Sequence, residues 1–283
     1  ILEQSPDNAW AMRELAQHFI AAGKLDQAEA WIERACELDG ENAFAVSLQA
    51  SLDSRRGNNP DARRRLREVL QNDICNESPL SKLLESCDSI EELREELDWV
   101  LGELKRQPIT DDGLIIYRNY AEAVIPANEL LQSLQEAVHH HSDLWQAHQA
   151  LISQLTHMER LDEAMEAAQQ ATEKFPLEPN AWFEKYRVAL AIGDVPIQKL
   201  ALQRCRLLRP SNPAVVRALS DVLCNEGQFS EAREMLEQLV SGQPLDPINR
   251  GYLADVLVEL DDRETALEQF EHAVTLEPDY EYA

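Results

Sequence analysis

The sequence predicts an all-α protein built as an α-solenoid, and three observations support this prediction. The 283 residues include only 9 Gly and 13 Pro, and aromatic residues make up 6%, a composition that favours helices over sheets. Blocks starting at residues 9, 43, 145, 179, 213 and 247, each a multiple of 34 apart, carry the same residue types at the same places. Each block has two short apolar stripes, which one helix pair cannot bury alone, so neighbouring blocks are expected to stack.

In four of the six blocks, the first half carries an apolar pair spaced four positions apart. The pairs are Leu15 and Phe19, Leu151 and Leu155, Leu219 and Leu223, and Leu253 and Leu257. This spacing places both side chains on one face of a helix. The first half is therefore predicted to be a helix that packs through this face.

A turn is predicted between the two halves. Glycines stand there in four blocks: Gly23, Gly57, Gly193 and Gly227. Glycine commonly follows the last residue of a helix because it adopts a left-handed conformation without strain. Asp26, Asp162 and Ser230 are expected just before the second helix, where their side chains would cap it.

The second half of each block carries small or apolar residues at i, i+4 and i+7. Four of these sets are Ala28, Ile32 and Ala35; Ala164, Ala168 and Ala171; Ala232, Leu236 and Leu239; and Ala266, Phe270 and Ala273. Alanine at these places predicts close helix contact, where a larger side chain would cost about 1–3 kcal/mol. The blocks close on helix breakers: Gly40, Pro176, Pro210, Pro244 and Pro278.

This helix-turn-helix unit of 34 residues resembles the tetratricopeptide repeat (TPR) family. The resemblance implies a right-handed superhelix of antiparallel helix pairs, with the first helices lining a concave groove. Residues 9–76 are predicted to form two repeats, and residues 145–280 are predicted to form four. Residues 1–8 are interpreted as the tail of a preceding repeat, and residues 281–283 as the start of a further repeat. Uncapped ends would expose apolar faces, so fraying and self-association are expected there.

Residues 77–144 span two further block lengths but match the repeat poorly. Glu96 and Glu103 fall on core places. A helical stripe shifted by one residue is formed by Leu93, Leu97, Val100 and Leu104. We therefore expect a divergent helical region here.

The charge of the chain limits its partners. The formal net charge is -26, which argues against nucleic-acid binding, because such binding requires cations that neutralise phosphates. A basic or neutral protein or peptide partner fits better.

One basic island interrupts this pattern: Arg55, Arg56, Arg63, Arg64, Arg65 and Arg67. It is interpreted as a solvated face partly paired with acids of neighbouring helices, and a patch for an acidic partner or RNA is the alternative.

No motif in the sequence indicates catalysis. No phosphate loop, dinucleotide fingerprint, nucleophile elbow or zinc-protease motif is present, so we expect no enzyme activity and no cofactor.

His139, His140 and His141 point in different directions on a helix, which argues against a metal site. The five cysteines lack metal-type spacing and are interpreted as thiols in a reducing, cytoplasmic compartment. No apolar run approaches the roughly 20 residues that span a membrane, although the chain opens on Ile1 and a leader could precede it.

One stretch of the predicted groove combines aromatic, amide and guanidinium groups. Its residues are Asn180, Phe183, Arg187, Arg217, Asp221, Asn225 and Tyr252. The arginines could bind a partner's carboxylates while the two aromatic rings contact apolar side chains. In the alternative interpretation, Glu184, Asp221 and Asp255 neutralise both arginines.

Two functions are compatible with this sequence. The first is a non-catalytic protein–protein interaction scaffold that holds a partner segment in the groove. The second is the substrate-recruiting repeat region of a larger enzyme, such as a glycosyltransferase or peptidase. A catalytic motif elsewhere in a longer chain would decide between them.

Overall fold

The protein is entirely helical over the residues that the computed structural model describes, which are 5–40, 42–109 and 111–278. Two compact units divide the chain, Ile1–Gln154 and Leu155–Ala283. The predicted tail at 1–8 lies partly outside the described residues, and the predicted further repeat at 281–283 lies wholly outside them. No helix among the described residues is long and apolar enough to cross a membrane.

Sixteen helices follow one another in the described part of the chain. The first eight are α1 (Ala9–Ala21), α2 (Leu25–Asp39), α3 (Ala43–Arg55), α4 (Asn59–Leu70), α5 (Glu77–Glu85), α6 (Ile90–Arg106), α7 (Gly113–Ala121) and α8 (Ala127–His140). The others are α9 (Trp145–His157), α10 (Leu161–Lys174), α11 (Pro179–Ile192), α12 (Val195–Leu208), α13 (Pro213–Asn225), α14 (Phe229–Gly242), α15 (Pro247–Glu259) and α16 (Arg263–Leu276).

The helices begin at a constant spacing over most of the chain. The odd-numbered helices α1, α3, α9, α11, α13 and α15 begin at the six block starts, and we call them first helices; the helices that follow them are second helices. Within each unit, a first helix packs against its own second helix, and that second helix packs against the next first helix, as in α11, α12 and α13. The predicted all-α solenoid of helix pairs is confirmed.

A residue with positive φ ends the first helix in all six blocks. Four of these residues are the predicted glycines, with φ between 71° and 84°. Glu159 and Asp261 occupy the same place in the other two blocks, with φ of 57° and 59°. The turn therefore keeps one left-handed geometry, which glycine adopts most easily.

The predicted caps of the second helices are wrong in three blocks. Asp26, Asp162 and Ser230 lie inside the first turn of α2, α10 and α14, which begin one residue before them. The preceding residues at the N-caps of these helices make no side-chain capping bond. The two aspartates instead act through the helix dipole, which favours negative charge in a first turn.

Alanines of the second helices form the tightest helix contacts. Those with no exposed surface include Ala28, Ala35, Ala62, Ala164, Ala168, Ala171, Ala232 and Ala273. In α12 the corresponding place holds Gln198, whose buried side-chain amide donates to the carbonyl of Ala189 at 3.3 Å. A hydrogen bond thus replaces the small side chain where the alanine is missing.

The divergent region, residues 77–144, is helical but irregular. Helix α5 is only 9 residues long, and α6 has 17 and begins three residues before the regular spacing from Asn59 would place it. Leu97, Val100 and Leu104 are buried, and Leu93 packs against the same core. This core continues through α4, α5, α6, α7 and α8, so the region is a packed part of the first unit.

The basic island and the acidic residues near it are paired with each other. Arg63 lies 3.0 Å from Glu92, and Arg67 lies 2.8 Å from Glu96. Glu96 is buried, and its ion pairs with Arg63 and Arg67 explain how a carboxylate can occupy a core place of α6. The predicted pairing with acids of neighbouring helices is confirmed for these arginines.

Candidate partner-binding surface

The first helices α11, α13 and α15 of the second unit present equivalent residues at equal intervals. Counting from each block start, the ninth place holds Arg187, Asp221 and Asp255. A pocket of about 310 Å³ opens between α13 and α15, and we call it the unit 2 pocket. It is lined by Ser220, Asp221, Cys224, Tyr252, Asp255, Val256, Val258 and Glu259. The surface therefore contains two of the predicted partner-binding residues, Asp221 and Tyr252.

The unit 2 pocket has a strongly acidic character. Asp221, Asp255 and Glu259 contribute three carboxyl groups to its lining. The surrounding pocket partly desolvates the exposed Asp221 and raises its pKa, and the charge of Asp255 raises it further. A raised carboxyl pKa means that the ionised form is destabilised at this place. A cation bound between Asp221 and Asp255 would relieve that cost.

Aromatic side chains border the carboxylates. Burial raises the pKa of the Tyr252 phenol, and the charge of Asp221 adds to this effect. The same two causes raise the pKa of Tyr186. Phe183 lies against Tyr186, with ring centroids 5.5 Å apart, and both rings pack on the core of the second unit. Tyr186 was missed in the sequence, although its position three residues after Phe183 puts it on a neighbouring part of the same helix face.

Arg217 is held by polar groups of the following block. Its Nη1 donates to Oδ1 of Asn249 at 2.8 Å and lies 3.6 Å from the Asp246 carboxylate. The guanidinium also lies 5.8 Å from the ring centroid of Tyr252. Arg217 therefore fixes the position of α15 relative to α13 and supports one wall of the surface.

Arg187 is paired within its own helix. Its Nη1 lies 3.1 Å from both carboxylate oxygens of Glu184. The Arg187 side chain is 54% exposed, whereas the Glu184 side chain is 7% exposed. The alternative in which acids neutralise the arginines is correct for Glu184 and Arg187, but Arg217 pairs with Asp246 rather than with Asp221 or Asp255.

The two asparagines of the predicted site lie away from the pocket. Asn180 is exposed in the first turn of α11, where its backbone amide donates to the Glu178 carboxylate at 3.0 Å. Asn225 is the exposed last residue of α13. Neither lines the unit 2 pocket, so their role in binding stays a prediction.

Metal-ligating side chains are not assembled in the described part of the chain. No group of three or more His, Cys, Asp and Glu residues there has the arrangement needed to hold a metal ion. His148 is buried, with its Nε2 2.8 Å from the carbonyl oxygen of Ser142. None of the five cysteines forms a disulfide, and burial raises the pKa of the Cys205 thiol to about 11.

Similar known proteins share the fold of repeated helix pairs. Two family models described as tetratricopeptide repeat match residues 1–52 and residues 253–280. No curated protein matches the chain significantly. The solved structure of YrrB, described as a TPR protein with an unusual peptide-binding site, is 18% identical with a TM-score of 0.50, covering 66% of this chain and 94% of YrrB.

Two structures of MamA are similar to a comparable degree. The MamA RS-1 ArsTM double mutant is 17% identical with a TM-score of 0.51, over 59% of this chain and 94% of that one. MamA 41-end from Desulfovibrio magneticus RS-1 is 18% identical with a TM-score of 0.50, over 59% of this chain and 95% of that one. At these identities the similarity shows the fold. The two family matches identify tetratricopeptide repeats at residues 1–52 and 253–280, and the helix pairs between them repeat the same two-helix unit.

Proposed function

We propose that the chain is a non-catalytic protein-interaction scaffold that binds a segment of a partner protein along the first helices α11, α13 and α15. The observation that carries this proposal is the unit 2 pocket, where carboxylates of two adjacent first helices meet the aromatic ring of Tyr252. Interfaces commonly use such rigid aromatic groups as anchors, with charged groups that select the partner.

The chemistry of the pocket favours a basic side chain of the partner. Asp221 and Asp255 can accept charge-assisted hydrogen bonds from lysine or arginine, and the face of Tyr252 can contact the same cation. Arg217 already lies near that ring, but its guanidinium is held by Asn249 and Asp246.

Apolar residues continue the surface beside the carboxylates. The twelfth places of the three blocks hold Leu190, Cys224 and Val258. Leu190 is 54% exposed and Val258 is 47% exposed. A partner segment that alternates basic and apolar side chains would match this arrangement. This agrees with the basic or neutral partner expected from the net charge.

We expect that replacing both Asp221 and Asp255 with asparagine will weaken binding of a basic peptide by about tenfold or more, because two charge-assisted hydrogen bonds become neutral ones. The probe is a short fluorescein-labelled peptide of Lys, Leu and Ser, measured by fluorescence anisotropy against the full chain. A partner captured with the full chain and identified by mass spectrometry then replaces the probe in the same assay.

The matched control is the double variant Glu231→Gln and Glu264→Gln, which makes the same change in net charge on the exposed surface of second helices. It should bind the peptide nearly as well as the unaltered chain. If the two double variants lose affinity equally, the peptide responds to net charge alone and the proposed site is wrong.

A further inference from the structure

A pocket with a largely apolar lining lies in the divergent region of the first unit. It has a volume of about 350 Å³, and we call it the divergent-region pocket. Its apolar lining comes from α6, the loop that follows, α7 and α8: Leu101, Leu104, Ile109, Leu114 and Ala137. Leu104 and Leu114 are buried, and the other three are partly exposed. The volume falls in the range of about 300–1,000 Å³ that is typical of sites for small molecules.

Hydrogen bonds hold the loop wall of this pocket in place. Gln107 is buried, and its side-chain amide donates to the carbonyl oxygen of Leu70, the last residue of α4, at 2.8 Å. Its side-chain oxygen accepts from the backbone amide of Ile74 at 2.9 Å. Ile109 follows two residues later and packs against the core of the first unit. A wall that is already ordered reduces the entropy cost of binding a ligand.

The charged groups at the edge of the pocket neutralise each other. Lys105 Nζ lies 3.1 Å from one carboxylate oxygen of Glu136, and Gln132 donates to the other at 3.2 Å. The hydrogen bond from Lys105 lowers the pKa of Glu136, so this carboxyl stays ionised in the pair. Among the described residues, the lining contains no further lysine, arginine, aspartate or glutamate, so its formal charge is zero. A ligand without net charge therefore suits it better than an ion.

Two imidazoles supply the remaining hydrogen-bonding groups of the lining. His140 is the last residue of α8 and His141 follows it, and both line the pocket. Neither side chain makes a hydrogen bond with another residue in the described part of the chain. The Ser133 hydroxyl, in contrast, already donates to the carbonyl oxygen of Glu129 at 3.2 Å. A neutral imidazole carries one donor and one acceptor nitrogen, which matches a hydroxyl group that also donates and accepts.

We propose that the divergent-region pocket binds a small uncharged amphiphile, with an apolar chain on the leucine and isoleucine side chains and a hydroxyl group at His140 and His141. An anion would be repelled by the net charge of the chain and by the C-terminal end of the α8 dipole. A cation would find both oxygens of Glu136 already hydrogen-bonded. The pocket shares no residue with the surface of the second unit, so this proposal does not depend on the scaffold function.

The test titrates the full chain with n-octanol by isothermal titration calorimetry, at a mildly alkaline pH where histidine is ordinarily uncharged. One saturable site is expected. Ala137→Phe and Ser133→Leu each place a larger side chain in the pocket and should weaken binding by about tenfold or more, because the apolar chain loses its space. Gln135→Phe is the matched control, since Gln135 is exposed on α8 and lies outside the pocket. Circular dichroism checks that each variant is folded, and Ser133→Leu still tests the site if Ala137→Phe does not fold.

The hydroxyl contact is tested with the double variant His140→Ala, His141→Ala. It should weaken n-octanol binding by about threefold to tenfold, which corresponds to the loss of a neutral hydrogen bond. His139→Ala is the control, because His139 is exposed and does not line the pocket. Sodium octanoate and octylamine carry the same apolar chain with a negative or a positive charge, and both should bind more weakly than n-octanol.

Saturable binding of n-octanol with this dependence on the filling variants, the two histidines and the charge of the compound supports the proposal. The proposal is overturned if n-octanol shows no saturable binding, or if Gln135→Phe weakens binding as much as the filling variants. It is also overturned if the His140, His141 variant binds n-octanol as tightly as the unaltered chain, or if either charged compound binds more tightly than n-octanol.

Discussion

Replacing Glu96 with alanine is expected to lower the free energy of unfolding by about 2–3 kcal/mol, because it leaves two arginines without their shared buried partner. Glu96 lies 2.8 Å from Arg67 and 3.6 Å from Arg63, and its side chain is only 7% exposed. The expected loss of unfolding free energy is smaller than for a fully buried ion pair. Arg67 is partly exposed, and Arg63 still pairs with Glu92 in the variant. Urea unfolding of the full chain, followed by circular dichroism, measures it.

Glu95→Ala is the matched control for this substitution. Glu95 is the neighbouring residue of α6, is exposed, and makes no ion pair among the described residues. Its replacement should change the free energy of unfolding by less than about 0.5 kcal/mol. Equal effects of the two substitutions would show that the buried ion pairs do not stabilise the first unit.

Replacing Ala232 with leucine is expected to destabilise the second unit by about 1–3 kcal/mol, because the larger side chain forces packed helices apart. Ala232 has no exposed surface, and α14 packs against both α13 and α15. Thermal unfolding measured by circular dichroism should show a lower midpoint. Limited proteolysis should then place the first cleavage within the second unit.

The control for Ala232→Leu is Glu231→Leu, one residue earlier in the same helix. Glu231 is exposed, so the added leucine contacts solvent rather than a neighbouring helix. Its melting midpoint should stay close to that of the unaltered chain. A drop of similar size in both variants would mean that the assignment of buried and exposed faces in α14 is wrong.

The helix pairs could be predicted because two kinds of position recur in most of the regular blocks. A residue with left-handed geometry ends each first helix, and small side chains are needed wherever two helices touch. The start of α6 was missed although its signal is visible. Ser89 accepts from the amide of Glu92 at 3.1 Å, a pattern that starts a helix at Ile90 regardless of the repeat spacing.

The candidate site could be predicted only in part. The spacing put Asp221 and Asp255 at the same place of successive first helices, and the pocket contains both. The partner of Arg217 could not be predicted, because the sequence offers acidic or amide groups at Asp221, Asp246, Asn249 and Asp255. The structure selects Asn249 and Asp246 at the start of α15. Likewise, only the surrounding helices decide that Arg55 has no ion pair among the described residues while the other arginines of the basic island have one.

The measurement that tests the central claim most directly is hydrogen–deuterium exchange of the full chain with and without the Lys, Leu and Ser peptide. If the first helices of the second unit bind the partner, peptide addition should slow exchange in α13 and α15, and this protection should disappear in the Asp221→Asn, Asp255→Asn variant. Protection confined to α14 and α16, or to residues 77–144, would contradict the proposed scaffold surface.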